Sequence, residues 1–301
     1  MDLLFSESRR WQTLDLLDTR VSNNMKKHLI PSRARFPLLE KLTLVMIVEP
    51  LHKDTALLFE SLPALVDLTL QVNVMPIPST LDFVWAQLRA CRLNGCLTTD
   101  ILRILPHFSA GARICFENCF ERIQDAHHLN SVHTVISDLS LHFSTFGAAK
   151  LLLGAIIAPC LKKLYISGTI YIPYISAFYD RSSFTLTHLR LSRHRGVNDL
   201  DDVIRSPLAV DIIDFDYDLE CFSRPMSDSD KAASTLASRD ILPNVRTLVL
   251  RNCERLHDAT VLAIHANRRP VLQSLWLQGP TTLSQDTIQA LKTGGLEVVM
   301  F

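Results

Sequence analysis

Neither sign of charge is in excess in this chain: 31 Lys and Arg balance 31 Asp and Glu over 301 residues. A basic surplus is the usual footprint of proteins that bind nucleic acid or anionic membranes, so neither is an expected partner. Charged residues make up 21 %, below the share of an average soluble domain. Long hydrophobic runs are missing as well. The longest, around Leu151–Ala158, is far too short to cross a bilayer. The opening MDLLFSESRRW lacks the apolar stretch of a signal peptide. Seven cysteines, an odd number without a secretion signal, read as reduced thiols of a cytoplasmic or nuclear protein. Catalytic signatures are also missing: there is no G-x-S-x-G, no P-loop and no G-x-G-x-x-G. The chain is expected to be no enzyme and to hold no cofactor.

What is present in abundance is leucine, in a recurring pattern L-x-x-L-x-L. The clearest copies are Leu39/Leu42/Leu44, Leu65/Leu68/Leu70, Leu186/Leu189/Leu191, Val245/Leu248/Leu250 and Leu272/Leu275/Leu277. Weaker copies begin at Trp11, Leu88, Gly111, Ile136, Leu161 and Val210, and a last one reads Leu296/Val299/Phe301. The steps between the twelve starts are 28, 26, 23, 23, 25, 25, 25, 24, 35, 27 and 24 residues. A leucine-rich repeat has a period of about 20–29 residues, and only one step falls outside it. Each motif predicts a short strand, and the segments between predict helices. Thr98–Asp100 reads as a capping signal before Ile101, Leu102 and Leu105. Ala148–Ala158 reads as a helix closed by Pro159, and Asn198 stands before the apolar Leu200, Val203 and Ile204. His257–Asn267 and Ser284–Lys292 have the best apolar spacing at i, i+3 and i+4.

Strand and helix in alternation predict an α/β solenoid of about twelve repeats. Its parallel sheet lines a concave face and its helices lie on the convex one. Residues 1–10 read as a tail and residues 11–301 as a single repeat domain. The long step holds a polar, Ser-rich surface loop at residues 223–240, where Ser227 and Ser229 sit beside aspartates. No polar capping segment is recognisable before Trp11 or after Phe301, so both ends read as uncapped.

Metal chemistry finds little support. Cys91 and Cys96 are five apart and Cys115 and Cys119 four apart, unlike the tight Cys-x-x-Cys pairs of zinc sites. The repeat itself explains Cys91 as an inward position and Cys96 and Cys119 as loop positions bonding backbone. His127, His128 and His133 read as a polar helix face. Strand alternation instead points to a binding surface, because it turns the leucines inward and the residues between them outward. Lys163, Tyr165, His188 and Arg190 should then form a basic-aromatic patch. Asp214 and Asp216 should sit on the next strand as solvated carboxylates, and Trp276 should face solvent further on. Val249, Arg251, Gln278 and Met300 are expected on the same face.

The stretch LVLRNCERLHDATVLAIHA followed by LWLQGPTTLSQDTIQAL resembles the cysteine-containing repeats of F-box/LRR proteins. Asn252–Cys253, Leu256, Asp258 and Leu262–Ile264 match that pattern. In the next repeat Leu283, Asp286, Ile288 and Leu291 match, with Pro280 where the cysteine would stand. Cys96, Cys119 and Asn73 hold the cysteine position in other repeats. RRWQTLDL and FPLLEKLTL look like the start of the repeat region in fungal members. The resemblance implies a ribonuclease-inhibitor-like horseshoe that recognises a protein substrate of an SCF-type ubiquitin ligase. A Skp-type adaptor and cullin would be partners only through an upstream F-box. No F-box is recognisable here, since ten residues precede Trp11 and none reads L-P-x-E. The alternative is a stand-alone scaffold or inhibitor with no ligase docking.

Overall fold

Alternating leucines with β-branched and polar neighbours form strands because successive side chains point to opposite faces of a sheet. The computed structural model describes residues 8–16, 36–46, 62–72, 85–121, 130–169, 172–192, 210–216, 244–251, 256–279 and 283–301. The predicted helix after Asn198, the 223–240 loop, His127, His128, Asn73, Asn252, Cys253 and Pro280 lie outside the described residues. The chain divides into two units, Met1–Cys160 and Leu161–Phe301. It is a mixed α/β protein built as a parallel-sheet solenoid.

In the first unit six parallel strands follow one another: β1 (Thr13–Leu16), β2 (Lys41–Met46), β3 (Asp67–Val72), β4 (Ala90–Asn94), β5 (Arg113–Cys119) and β7 (Asp138–Phe143). A separate parallel pair, β6 (Val132–His133) with β8 (Ile156–Ile157), lies in the same unit. Register is what the repeat requires. Leu14, Leu42, Leu68, Cys91, Ile114 and Leu139 stand side by side, and so do Leu16, Leu44, Leu70, Leu93, Phe116 and Leu141. The second unit repeats the arrangement with β9 (Lys163–Gly168), β10 (Leu186–Ser192), β11 (Val210–Asp216), β12 (Thr247–Arg251), β13 (Ser274–Gln278) and β14 (Glu297–Met300). Its two rows of aligned apolar residues are Leu164, Leu189, Ile213, Leu248, Leu275, Val298 and Ile166, Leu191, Phe215, Leu250, Leu277, Met300, buried except at the last strand, where Val298 is half-buried and Met300 exposed.

The last strand corrects the sequence reading by one residue. Val298 and Met300, rather than Val299 and Phe301, align with Leu275 and Leu277. With a side-chain period of two, a slip of one residue exchanges the faces. Both Met300 and Phe301 are exposed at this last strand, and Phe301 sets its ring against Trp276, 6.0 Å between centroids.

Among the described residues five α-helices add to the core: α1 (Thr98–Ile104), α2 (Phe146–Ala155), α3 (Ile172–Ser182), α4 (Asp258–Arg268) and α5 (Gln285–Thr293). α5 starts as expected, with Ser284 accepting a hydrogen bond from Thr287 N at 3.2 Å. α1 starts one residue earlier than its capping signal. Leu97 is the N-cap and Thr98–Asp100 form the first turn, where the Asp100 charge suits the helix dipole. α2 begins on Thr145, which accepts from Ala148 N, and ends at Ala155, because β-branched Ile156 and Ile157 leave it for the β6–β8 pair. α3 was not recognised in the sequence, although Pro173 suits a first turn and Ile175 and Phe178 share a buried face. Among the described residues no helix is long and apolar enough to cross a membrane.

Two features of the repeat unit lie outside the L-x-x-L-x-L pattern. A buried residue stands three positions before the first leucine, as in Phe36/Leu39, Leu62/Leu65 and Trp85/Leu88. Each such turn is closed by an N–H to C=O bond of 3.2 Å. After the strand, Gly95, Gly168 and Gly279 take left-handed φ of 80°, 89° and 93°. In β5 Asn118 fills that place with φ 50°, a conformation asparagine tolerates better than most residues. The register of β5 with β7 shifts between Phe116 and Cys119, which is where a bulge absorbs it.

Candidate interaction surface

Six strands in register turn the residues between the buried leucines of the second unit into three parallel rows. Lys163, His188, Ile212, Thr247, Ser274 and Glu297 form the first. Tyr165, Arg190, Asp214, Val249, Trp276 and Val299 form the second, and Ser167, Ser192, Asp216, Arg251 and Gln278 the third. The expected neighbours Lys163, Tyr165, His188, Arg190, Asp214 and Asp216 thus lie on three adjacent strands. Rows in such a sheet repeat every ~4.8 Å.

Asp214 is the centre of the cluster. It was expected to be a solvated carboxylate, yet it is only 1 % exposed. Its neighbours explain this correction. Arg251 Nε donates to Oδ1 at 2.8 Å and to Oδ2 at 3.1 Å, and its terminal nitrogen donates to Oδ2 at 2.9 Å. That is the fork-on-carboxylate geometry that makes arginine pairs directional. Arg190 Nε lies 3.8 Å from Oδ2, while its terminal nitrogen donates to Asp216 Oδ2 at 2.6 Å. His188 Nε2 stands 3.9 Å from the same oxygen. That is beyond hydrogen-bond reach, and Nε2 is buried with no hydrogen-bond partner. The imidazole therefore lies against Asp214 without a formed hydrogen bond. Burial works to raise the Asp214 carboxyl, but His188, Arg251 and Arg190 together outweigh it and hold the carboxyl below its ordinary value. The same contact with Asp214 raises the Arg251 guanidinium against its burial. Arg251 also donates to Gln278 Oε1, which ties β12 to β13.

The sequence placed Arg251 on this face but did not single it out. The signal was available: Arg251 follows Val249 by two residues and so aligns with Asp216, where a cation beside two carboxylates is the complementary choice. Tyr165 sets its ring 5.2 Å from that of His188. Trp276 does face solvent, at 37 % exposure, but it does not join the cluster. It stands two strands from Asp214 with Val249 between them, and its ring neighbour is Phe301. Val249, expected on the open face, is 4 % exposed and belongs to the covered part of the second row.

In the first unit the sheet residues between the buried leucines carry a smaller polar group. Arg92 Nε is 3.6 Å from Glu117 Oε1, Asn94 donates to Glu117 at 3.3 Å, and Asn118 donates to Asn94 at 2.9 Å. The cysteines lie behind it. Cys91, Cys96 and Cys119 are buried, and burial pushes all three thiols up, away from the reactive thiolate. Cys119 donates to the Phe116 carbonyl at 3.5 Å, a backbone bond as expected, but it is the last residue of β5 rather than a loop residue. Among the described residues no three His, Cys, Asp or Glu side chains are placed to hold a metal ion. Alkylation of the native protein followed by peptide mapping should therefore modify the exposed Cys160 and leave Cys91, Cys96 and Cys119 untouched until unfolding. Early labelling of Cys91 would contradict the burial of the inner row.

A further polar group closes the helical side of the second unit. Arg269 Nε donates to His265 Nε2 at 2.8 Å and also reaches the Gly294 carbonyl at the end of α5. Burial first, and then the Arg269 charge, hold His265 below its ordinary value, so it serves as a neutral acceptor within the packing.

No family model matches this chain, and no curated protein matches it in sequence. A parallel-sheet α/β solenoid with an ordered ionic cluster on its open face is the class that the fold and the site define.

Proposed function

We propose that this chain is a protein–protein interaction module, not an enzyme, whose contact surface is the open sheet face of the second unit. The observation that supports this is the fixed constellation of Tyr165, His188, Arg190, Asp214, Asp216 and Arg251, with Trp276 in the same sheet. Tyr, Arg and Trp are the residue types that carry most interface energy, and guanidinium groups held by Asp214 and Asp216 lose little freedom on binding. The repeat resemblance extends the proposal. Such a module would present a protein target for ubiquitination when joined to an F-box, and it would work in the cytoplasm or nucleus. A Skp-type adaptor and cullin enter only through that box.

A photo-reactive residue placed at Lys163 or at Trp276 should cross-link one and the same protein in cells, while one at Gln289 on α5 should not. The cross-link should disappear when Arg190 is replaced by alanine. Labelling from Gln289 alone would overturn the choice of face. Recovery of a Skp-type adaptor with the endogenous protein would support the ligase part, and its absence from stoichiometric complexes would remove that part.

A further inference from the structure

We infer that the partner of this face is a protein segment carrying an acidic side chain and, about four extended residues away, a large apolar one. The inference rests on the interaction-module reading and adds the chemistry of the target. On β9–β12 the charges that reach solvent from the three rows are Lys163, Arg190, Arg251 and Asp216. Lys163 is exposed, and the other three are 35 %, 25 % and 24 % exposed at their side chains. The carboxylate that would offset them, Asp214, is 2 % exposed at its side chain and lies beneath its cations. The cluster is therefore nearly neutral in total but presents three cations to one carboxylate. That carboxylate, Asp216, is already taken by Arg190 at 2.6 Å. A carboxylate approaching between Lys163 and Arg190 meets positive charge and donors, whereas a lysine or arginine meets repulsion.

The second half of the inference comes from the other end of the same sheet. Trp276 and Phe301 form an edge-on aromatic pair at 6.0 Å, and both are exposed. Beside them in the row Val249 is covered and Val299 half-covered, so the row neighbours of the aromatic pair are apolar, while the exposed Glu297, bonded to Ser274 at 2.6 Å, lies one row away. Arg190 lies on β10 and Trp276 on β13, three strand spacings apart. At ~4.8 Å each this is about 14 Å, which an extended peptide spans in about four residues. One segment crossing the strands can thus place an acid on the cationic end and an aromatic or aliphatic side chain on the Trp276–Phe301 shelf.

The test is selection of a phage-displayed library of random twelve-residue peptides on the full chain, with enriched peptides then measured by fluorescence anisotropy. Peptides with Asp or Glu about four positions from Phe, Trp or Leu are expected. Lys163→Glu, a change at an exposed position, should weaken them by about tenfold or more at low salt, and Trp276→Ala likewise. Exchanging the peptide acid for lysine should restore binding to the Lys163→Glu chain. Enriched peptides that ignore both variants would overturn this inference and leave the module reading standing. Peptides dominated by lysine and arginine would do the same. No enriched peptide at all would count against both.

Discussion

Asp214→Ala should destabilise the second unit by about 2–3 kcal/mol in urea denaturation. Removing one member of a fully buried ion pair costs about 3–5 kcal/mol, and the lower figure allows for an Arg251 side chain that remains a quarter exposed. The loss arises because Arg251, Arg190 and His188 keep their positions around a carboxylate that is gone. Arg251→Ala should cost a similar amount, by leaving Asp214 covered without its fork of donors. The double variant should cost clearly less than the sum of the two, which a thermodynamic cycle reads directly. The acid limb carries the same signature. The Asp214 carboxyl is held below its ordinary value, so its contribution is complete above the unfolded value of about 4 and fades as pH falls through the folded one. Asp214→Ala should flatten that limb only in part. Asp258 is also held low, first by its hydrogen bonds with Ser284, and keeps a limb of its own. An Asp214→Ala chain as stable as the parent at neutral pH would mean that the cluster contributes nothing to the fold.

Trp85→Ala should be the most damaging single change in the first unit, at about 3–5 kcal/mol, the range for emptying a large aromatic site in a core. Trp85 is fully covered, meets Phe108 edge-on at 5.6 Å, and closes the turn that delivers Leu88 to its place before β4. Trp85→Phe should retain most of that stability, because the smaller ring still occupies the site. Near-ultraviolet circular dichroism during denaturation separates the two variants. A loss below about 1 kcal/mol for the alanine would show that the neighbouring repeats collapse into the space.

Much of the architecture was legible because one physical rule, alternation, repeats at nearly constant spacing. Leu42, Leu68, Leu189, Leu248 and Leu275 could be placed in rows from spacing alone, and their neighbours on the opposite face followed. The rule fails where its period of two leaves two choices. In LEVVMF, every residue except Glu297 is apolar, so Val298, Val299, Met300 and Phe301 fit either face. Pairing to Leu275 and Leu277, not hydrophobicity, decides the register. The site was legible in membership but not in state. Position told that Asp214 faces away from the leucines. Only side-chain geometry tells that two guanidinium groups close over it, since a row lists neighbours and not how far arginine reaches across strands. Helix ends suffered in a related way. Thr98, Thr99 and Asp100 all favour a helix start, and the backbone turned at Leu97, one residue before them.

The ladder of the second unit steps by 25 residues from Leu164 to Leu189, by 24 to Ile213, by 35 to Leu248 and by 27 to Leu275. Each strand pair closes a loop, and the closure entropy grows only with the logarithm of loop length. Lengthening one step from 25 to 35 residues costs about 0.3 kcal/mol. The register of β11 with β12 is as regular as that of its neighbours despite the longer step. Chain length between these two strands is therefore almost free of thermodynamic consequence. Segments of quite different size could be exchanged there, next to the strands that carry Asp214 and Arg251, without disturbing the pairing that holds them.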